Sequence, residues 1–417
     1  MSERKAVAYT TSRFPKITET FVLYELLEVE KEGLTVEIYP LIDHHDSVEH
    51  PEALRMRKKA HYLPFISFDI LKSNFSSFCS QPLNYLKTLG ELLLSAFPNP
   101  KFMAGTLAIW PKSVHFAHDM QEREVGHIHA HFATHGATSA LIVHRLTGIP
   151  FSFTAHAHDI FMDLEMLDLK LADAKFVVVI SEFNRRWLCK HFGQEIDAKL
   201  HTIHCGVNPT IFHTRPAERS PGPLRLLSVA SFKDMKGHTY LLKAMRTLLD
   251  GLAHDGKKTD LRLDLVGDGP LRKQIEEEIK ALDLGNHVFI NGSLLRNQVS
   301  EMTRNADLAV MASVWGARGD MEGIPVSLME AMCVGLPVIS TGISGIPELI
   351  EDRVNGYLVP PEQPEPLATA LRAIIDKDDL GRSMGQAGRE KVLQEFNLRD
   401  NARKLAVLFR KSLKDNQ

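Results

Sequence analysis

The chain has 417 residues, enough for two or three domains with full cores, and a composition of 44% hydrophobic and 24% charged residues that is ordinary for a globular protein. A net charge of −3 without a long basic tract argues against nucleic acid as a partner. Four scattered cysteines (Cys79, Cys189, Cys205, Cys333) exclude a disulfide framework or a Cys-based zinc site and suit a reducing cytosol, and no apolar run approaches the roughly 20 residues of a membrane span.

The start, Met1-Ser2-Glu3-Arg4-Lys5, reads as the approach to a strand rather than a signal peptide. Ala6–Tyr9 is that strand, a helix follows over about Thr20–Lys31, and Val36–Tyr39 is the next strand. An insertion from about His50 to Glu124 interrupts the alternation. It mixes Arg55, Arg57, Lys58 and Lys59 with Phe65, Phe68, Phe75 and Phe78, and carries an apolar helix near Tyr85–Phe97. Two readings stay open for it: helices that cover an extended core, or a surface that meets a membrane or a lipid-linked acceptor. The alternation resumes with strand His127–Phe132, helix Ala137–Leu146, strands Phe151–Thr154 and Phe176–Ile180, and helix Glu182–Phe192.

The polar, Pro-rich stretch Asn208–Pro223 reads as a linker. Beyond it strands are expected at Leu226–Ala230, Leu261–Val266, Val288–Ile290, Leu308–Met311, Pro337–Ser340 and Tyr357–Val359, with helices over about His238–Leu252 and Pro270–Leu282. Short apolar strands alternating with amphipathic helices mean a parallel sheet covered on both faces. The expected fold is α/β: two facing Rossmann-like, doubly wound domains, residues 1–208 and 209–396, sharing a cleft, with an amphipathic C-terminal helix (Leu398–Leu413) returning to the first.

The run Glu322-Gly323-Ile324-Pro325-Val326-Ser327-Leu328-Met329-Glu330 says most about chemistry. Pro325 suits the first position of a helix over Val326–Val334, and Gly335 suits its stop. The unpaired N–H groups of a helix start attract phosphate or a sugar hydroxyl, and two carboxylates beside them suit a ligand that joins diphosphate to several hydroxyls. A nucleotide sugar fits. Lys236, beside Gly237, offers a point charge for phosphate on the loop after the first strand of the second half. Gly267-Asp268-Gly269-Pro270 and Ser344-Gly345-Ile346-Pro347-Glu348 also place Gly and Pro ahead of helices, although the former lacks the full dinucleotide spacing.

In the first half, His129-Ala130-His131 and His156-Ala157-His158-Asp159 fall at strand ends, where alternate residues share a face. Without a clear third ligand these histidines read as hydrogen-bonding groups rather than zinc ligands, with His156 beside the acceptor as hydrogen-bonding group or proton relay.

These residues resemble the retaining glycosyltransferases of family 4, of the type that builds exopolysaccharides such as colanic acid and the cyanobacterial heterocyst envelope. The resemblance rests on Lys236-Gly237, Leu265-Val266-Gly267-Asp268-Gly269-Pro270, Asn291-Gly292, Ala306-Asp307-Leu308, Glu322 through Glu330 and Gly335-Leu336-Pro337 in the second half. In the first half it rests on Phe14-Pro15, Thr18-Glu19-Thr20-Phe21, His129–Phe132, Thr154–Asp159 and Ser181-Glu182. It implies the B-type two-domain fold and transfer of a hexosyl group from a nucleotide sugar, UDP-glucose or a relative, to a saccharide or lipid-linked saccharide.

Carried onto this chain, it implies that Glu330 holds the ribose hydroxyls and Glu322 those of the donor sugar. The N–H groups of Gly323, Ile324, Val326 and Ser327 around Pro325 face sugar and diphosphate. Lys236 neutralises the leaving group, Leu294 or Leu295 beyond Gly292 meets the base, and His156 sits by the anomeric centre. Thr18, Glu19, His131, His156 and Asp159 are the implied acceptor side. No cofactor or metal is expected, and the implied location is the cytoplasm, at or near the inner face of the plasma membrane.

Two departures stand out. Ser231 replaces an Arg usual in the family, so that either a hydroxyl and helix dipoles suffice or Arg272, Arg296 or Arg318 reaches in, and Ile17-Thr18-Glu19 occupies a turn that usually carries a glycine pair. The rival readings are a nucleotide-sugar epimerase or phosphorylase on the same plan, a metal hydrolase on His129, His131, His156 and His158, and a non-catalytic nucleotide-sugar sensor.

Overall fold

The computed structural model describes residues 6–16, 19–44, 51–162, 164–216, 218–219, 221–256, 260–317 and 319–415. By its contacts the chain divides into two compact units, Met1–Ile203 with Arg399–Gln417, and His204–Leu398. Each contains one six-stranded sheet whose strand pairs are all parallel.

In the first unit the strands are β1 (Val7–Phe14), β2 (Val36–Asp43), β3 (His127–His131), β4 (Phe151–Ala155), β5 (Phe176–Val179) and β6 (Leu200–Thr202), in the order β2-β1-β3-β4-β5-β6. Every residue of β3, β4 and β5 is buried, as expected of strands covered on both faces. The insertion between β2 and β3 is helical, with helices Pro51–Arg57, Phe68–Ser80, Pro82–Ala96 and Pro100–Glu122. The last of these packs against helix His135–Thr147, with Ser113 Oγ 2.9 Å from Ser139 Oγ, and its Ile109, Trp110, Val114, Phe116 and Ala117 belong to the same core as β3 and β4. Helix Leu398–Asp415 lies on the β3 face of this unit, where the Phe409 ring meets Tyr9, His127, His129 and Phe176.

The second unit has β7 (Leu224–Val229), β8 (Leu261–Val266), β9 (Val288–Gly292), β10 (Leu308–Met311), β11 (Val338–Thr341) and β12 (Tyr357–Val359), ordered β12-β11-β10-β7-β8-β9. Counted from its own first strand this is 3-2-1-4-5-6, the doubly wound order, and it reverses between β7 and β10. Helix His238–His254 shows how the layers are bound: Leu241, Leu242, Met245, Leu248, Leu249 and Leu252 form one buried stripe. Each such side chain contributes about 1.5–3 kcal/mol by leaving water.

Candidate active site

In an open α/β sheet the crevice for a ligand lies beyond the carboxyl ends of the two strands flanking the reversal, here β7 and β10. The two loops that leave them are bound to each other. Val314 N–H donates to Met235 O at 2.9 Å, and Ala317 N–H to an Asp234 carboxylate oxygen at 3.1 Å. Gly237 has φ 65°, and a Cβ there would lie 1.8 Å from Ala312 O, so only glycine permits this approach. The result brings Lys236 Nζ, from the first loop, against Glu322 Oε2, from the second, both side chains being mostly buried. Burial, with like charge from Lys233, pushes the Lys236 ammonium down to about 7, while the Glu322 carboxylate in contact with it favours the charged form.

Helix Val326–Val334 starts immediately beyond Glu322 and ends at Gly335, φ 87°. Pro325 is its cap residue rather than its first helical residue as expected, and its carbonyl accepts from Leu328 N–H at 3.1 Å and Met329 N–H at 3.3 Å. Among the described residues nothing accepts from the N–H groups of Gly323, Ile324, Val326 or Ser327. Gly323 and Ile324 are buried, and unpaired N–H groups this close to a helix start form a ready anion site.

Glu330, on the same helix, is 12% exposed, and burial lifts its carboxyl to about 7 against the opposing pull of Arg296, whose guanidinium is 3.9 Å away. Of the three arginines considered as substitutes at Ser231, Arg296 is the one beside Glu330. Arg272 is taken by Glu276 and Asp268, and Arg318 lies outside the described residues. Ser231 is half-buried on the β7 loop and its carbonyl accepts from Lys233 N–H at 2.9 Å. Past Gly292 (φ 69°), Leu295 N–H donates to Gln298 Oε1 at 2.9 Å, whereas Leu294 N–H has no acceptor among the described residues. Of the two, Leu294 is the one whose N–H is left available.

Gly267 and Gly269 serve packing: Cβ atoms there would lie 2.0 Å from Ala230 O and 2.6 Å from Phe232 O. The Ser344–Glu348 turn opens a helix of only four residues, Ile346–Leu349.

In the first unit, His127, His129 and His131 alternate along one face of β3, and Ser152, Thr154 and His156 stand opposite on β4 and its end. His129 lies between Ser152 Oγ (2.8 Å) and Thr154 Oγ1 (3.0 Å), and His131 between Glu25 Oε1 (3.0 Å) and His156 Nε2 (3.1 Å). Glu25 also accepts from Tyr9 OH at 3.4 Å.

A carboxylate only accepts, so His131 carries its N–H on Nε2. With one proton on each ring, its Nδ1 accepts from His156 Nε2–H, and His156 keeps an unprotonated Nδ1 without a partner among the described residues. Burial and the nearby His131 hold His156 well below the usual imidazole range, so it is neutral at pH 7 and accepts a hydroxyl hydrogen rather than supplying positive charge.

Apart from that nitrogen, His156 is held by its neighbours. Its ring lies 4.8 Å from that of Phe21 and 4.4 Å from that of Phe132, its N–H donates to Asp159 at 3.0 Å, and its carbonyl accepts from Asn184 Nδ2.

The rest of the expected acceptor side is arranged differently. Asp159 is 1% exposed with both oxygens occupied by the N–H groups of Ala133 and His156, so it clamps the ends of β3 and β4 instead of meeting a ligand. His131 is buried behind His156, Glu19 pairs with Lys16, and Thr18, like the Ile17 turn residue, lies outside the described residues.

The four histidines of the metal-hydrolase reading do not assemble, because His158 is exposed at the start of its helix while the other three are buried. Glu25, His129 and His131 do hold ligand atoms within 4.8 Å of one another. All four ring nitrogens there already hydrogen-bond to protein groups. The sequence reading missed Glu25, Asn184 and Gln298, and quoted Phe21 and Phe132 only as motif residues without a role. Glu25 leaves a trace, as an acid within the otherwise apolar run Val22–Leu27.

Two family models match, "Glycosyltransferase Family 4" over residues 88–211 and "Glycosyl transferases group 1" over 212–391. The chain belongs to the family 4 glycosyltransferases. It is 39% identical over 214 residues to WcaL of Escherichia coli (strain K12), whose name connects it with colanic acid biosynthesis, and the match covers 51% of each chain. It is 34% identical over 227 residues to the amylovoran biosynthesis glycosyltransferase AmsK of Erwinia amylovora, with 54% of each covered, so the chain spans about half the length of these relatives. Among solved structures, Alr3699/HepE of Anabaena in complex with UDP aligns with a TM-score of 0.70 at 16% identity, covering 98% of this chain and 100% of that one, and was also solved with UDP-glucose. At that identity the likeness shows the fold, two Rossmann-like domains of the B type. The expected fold class holds.

Proposed function

We propose that this family 4 member is a retaining glycosyltransferase that moves a hexosyl group from UDP-glucose or a related UDP-sugar to a saccharide or lipid-linked saccharide during exopolysaccharide synthesis. The observation that carries the reading is the group of four unpaired N–H groups at Gly323, Ile324, Val326 and Ser327, flanked by Lys236 and by two acids eight residues apart. The names of WcaL and AmsK and the UDP complexes of HepE support the pathway type and the nucleotide.

In this reading diphosphate docks on the helix start and draws Lys236 away from Glu322. The released Glu322 carboxylate then accepts hydroxyls of the donor sugar, while Glu330 accepts those of the ribose and Leu294 N–H meets the base. His156 Nδ1 takes a hydroxyl of the sugar or the acceptor. The acceptor oxygen attacks the anomeric carbon on the face the diphosphate leaves. The C–O(phosphate) bond breaks, the new C–O bond forms, and the acceptor proton passes to a diphosphate oxygen. Neither acid becomes a covalent nucleophile, which separates this scheme from glycoside hydrolysis. Lys236 and the helix N–H groups stabilise the leaving charge in place of a divalent metal, an electrostatic effect worth several kcal/mol when preorganised. The reaction takes place in the cytoplasm, at or near the inner face of the plasma membrane.

The test is a panel of nucleotide sugars. UDP-sugars should raise the thermal midpoint, and with an oligosaccharide acceptor the product should show the donor's anomeric configuration by NMR. Inversion of configuration, or conversion of the sugar nucleotide without any acceptor, would refute the reading, the latter in favour of an epimerase.

A further inference from the structure

Helix Phe68–Ser80 is built inside out. Its polar residues turn toward helix Pro100–Glu122: Ser73 Oγ lies 2.9 Å from His115 Nδ1, Ser77 Oγ lies 2.8 Å from His118 Nε2, and Asn74 Nδ2 donates to Pro111 O at 2.9 Å. Its large apolar residues face outward, Phe68 (79% exposed), Leu71, Phe75 (72%) and Phe78, at the spacing of one helical stripe. The next helix, Pro82–Ala96, does the same with Leu83 (84%), Leu86 and Leu94, and Phe97 follows at its end. With Phe65 and Ile66 just ahead, ten large apolar side chains lie exposed within residues 65–97, against eight in all the other described residues. A surface helix in water carries its apolar stripe inward, and an apolar patch of this density marks a site covered by something else.

Charge identifies the cover. Residues 54–111 contain seven Lys and Arg against two Asp and Glu, a net +5 in a chain whose total is −3. Arg55 and Lys59 are engaged by Glu30, and Arg57 by Asp43, but Lys58, Lys72 and Lys101 are exposed and have no carboxylate partner among the described residues. A second copy seated on the same patch would set two net-positive surfaces together. Anionic headgroups complement the charge, and acyl chains complement the Phe and Leu stripe. We propose that the two helices spanning residues 68–96 form a docking face for an anionic lipid bilayer, with Phe68, Phe75, Leu83 and Leu94 entering the headgroup region and Lys58, Lys72 and Lys101 meeting the phosphates. The claim stands apart from the transferase reading, since it needs no assignment of donor or acceptor.

Sedimentation of the full chain with vesicles tests it, comparing phosphatidylglycerol–phosphatidylethanolamine with phosphatidylcholine. The protein should partition into the anionic vesicles at low salt at least about tenfold more strongly than into the zwitterionic ones. A variant with Phe68→Ser, Phe75→Ser, Leu83→Ser and Leu94→Ser should lose about tenfold or more of that binding with an unchanged thermal midpoint, because all four side chains are already exposed. Replacing Lys58, Lys72 and Lys101 by Gln should weaken the binding and flatten its salt dependence. No binding to anionic vesicles at low salt overturns the proposal, and so does equal binding by the serine variant. A lipid-free dimer that the serine variant dissolves, without vesicle binding by either protein, overturns it in favour of a second copy as the cover.

Discussion

Glu330→Gln separates binding from stability in a way that few substitutions allow. Burial lifts the Glu330 carboxyl from 4.5 to about 7, and that value is already net of the attraction of Arg296 at 3.9 Å. A shift of this size corresponds to roughly 3 kcal/mol of cost for the charged form. Below pH 4.5 the carboxyl is protonated in the folded and unfolded chains alike, and the cost is absent. Between 4.5 and 7 the unfolded chain gives up its proton first, so stability falls as pH rises, and above about 7 the full cost is present. Glutamine has the shape of the protonated acid without its titration. The ligand-free variant should therefore match the parent near pH 4.5 and be more stable by about 1–3 kcal/mol at pH 8, a rise of several degrees in thermal midpoint for a unit of this size. UDP should bind it about tenfold or more weakly, since hydrogen bonds to a charged acceptor are worth about 1.5–3 kcal/mol. Thermal unfolding from pH 4.5 to 8 and calorimetric titration with UDP measure both effects. A stability difference that does not grow with pH, or unchanged UDP affinity, would refute the burial argument or the ribose assignment respectively.

Other perturbations probe the remaining parts. Glu322→Ala should spare UDP binding and abolish sugar transfer, and retained turnover would contradict its place at the donor sugar. Lys236→Met should weaken UDP binding and lower kcat by about 10²-fold, since it removes a preorganised cation at the leaving group; a kcat within threefold of the parent contradicts that role. Glu25→Gln should lower kcat about tenfold and change the pH–rate profile by releasing the His131 tautomer that sets His156, with the thermal midpoint nearly unchanged. An unaltered profile limits Glu25 to packing. EDTA should leave transfer rates intact, and loss of activity restored by a divalent ion would overturn the metal-independent scheme.

Much of the fold was legible because parallel strands buried on both faces announce themselves as short apolar runs. Helices Thr20–Lys31, Glu182–Phe192 and Val326–Val334 and strands Leu261–Val266, Leu308–Met311 and Tyr357–Val359 occur at the bounds read from sequence. β6 was missed because Leu200-His201-Thr202 holds a single apolar residue, whereas the equally short Tyr357-Leu358-Val359 is an unbroken apolar run. The helices of the insertion were hard to read for a physical reason. A helix whose serines and asparagine point inward and whose phenylalanines point outward contradicts the rule by which an amphipathic pattern is assigned to a core.

The site was legible where chemistry lies in the backbone and obscure where it lies in side chains meeting across the fold. The Glu322–Glu330 spacing with Pro325 between already implied unpaired N–H groups at a helix start. No local pattern could show that Gln298 satisfies Leu295 and leaves Leu294 open, or that Asp159 spends both its oxygens on Ala133 and His156. Nor could it show the order of protons along Glu25, His131 and His156, which depends on a carboxylate 106 residues from the first histidine it contacts. That order has a chemical consequence. An acid at one end of the line fixes which nitrogen is bare at the other, so His156 offers a hydrogen-bond acceptor suited to a sugar hydroxyl, while Lys236 and the Val326 helix start supply the donors suited to phosphate.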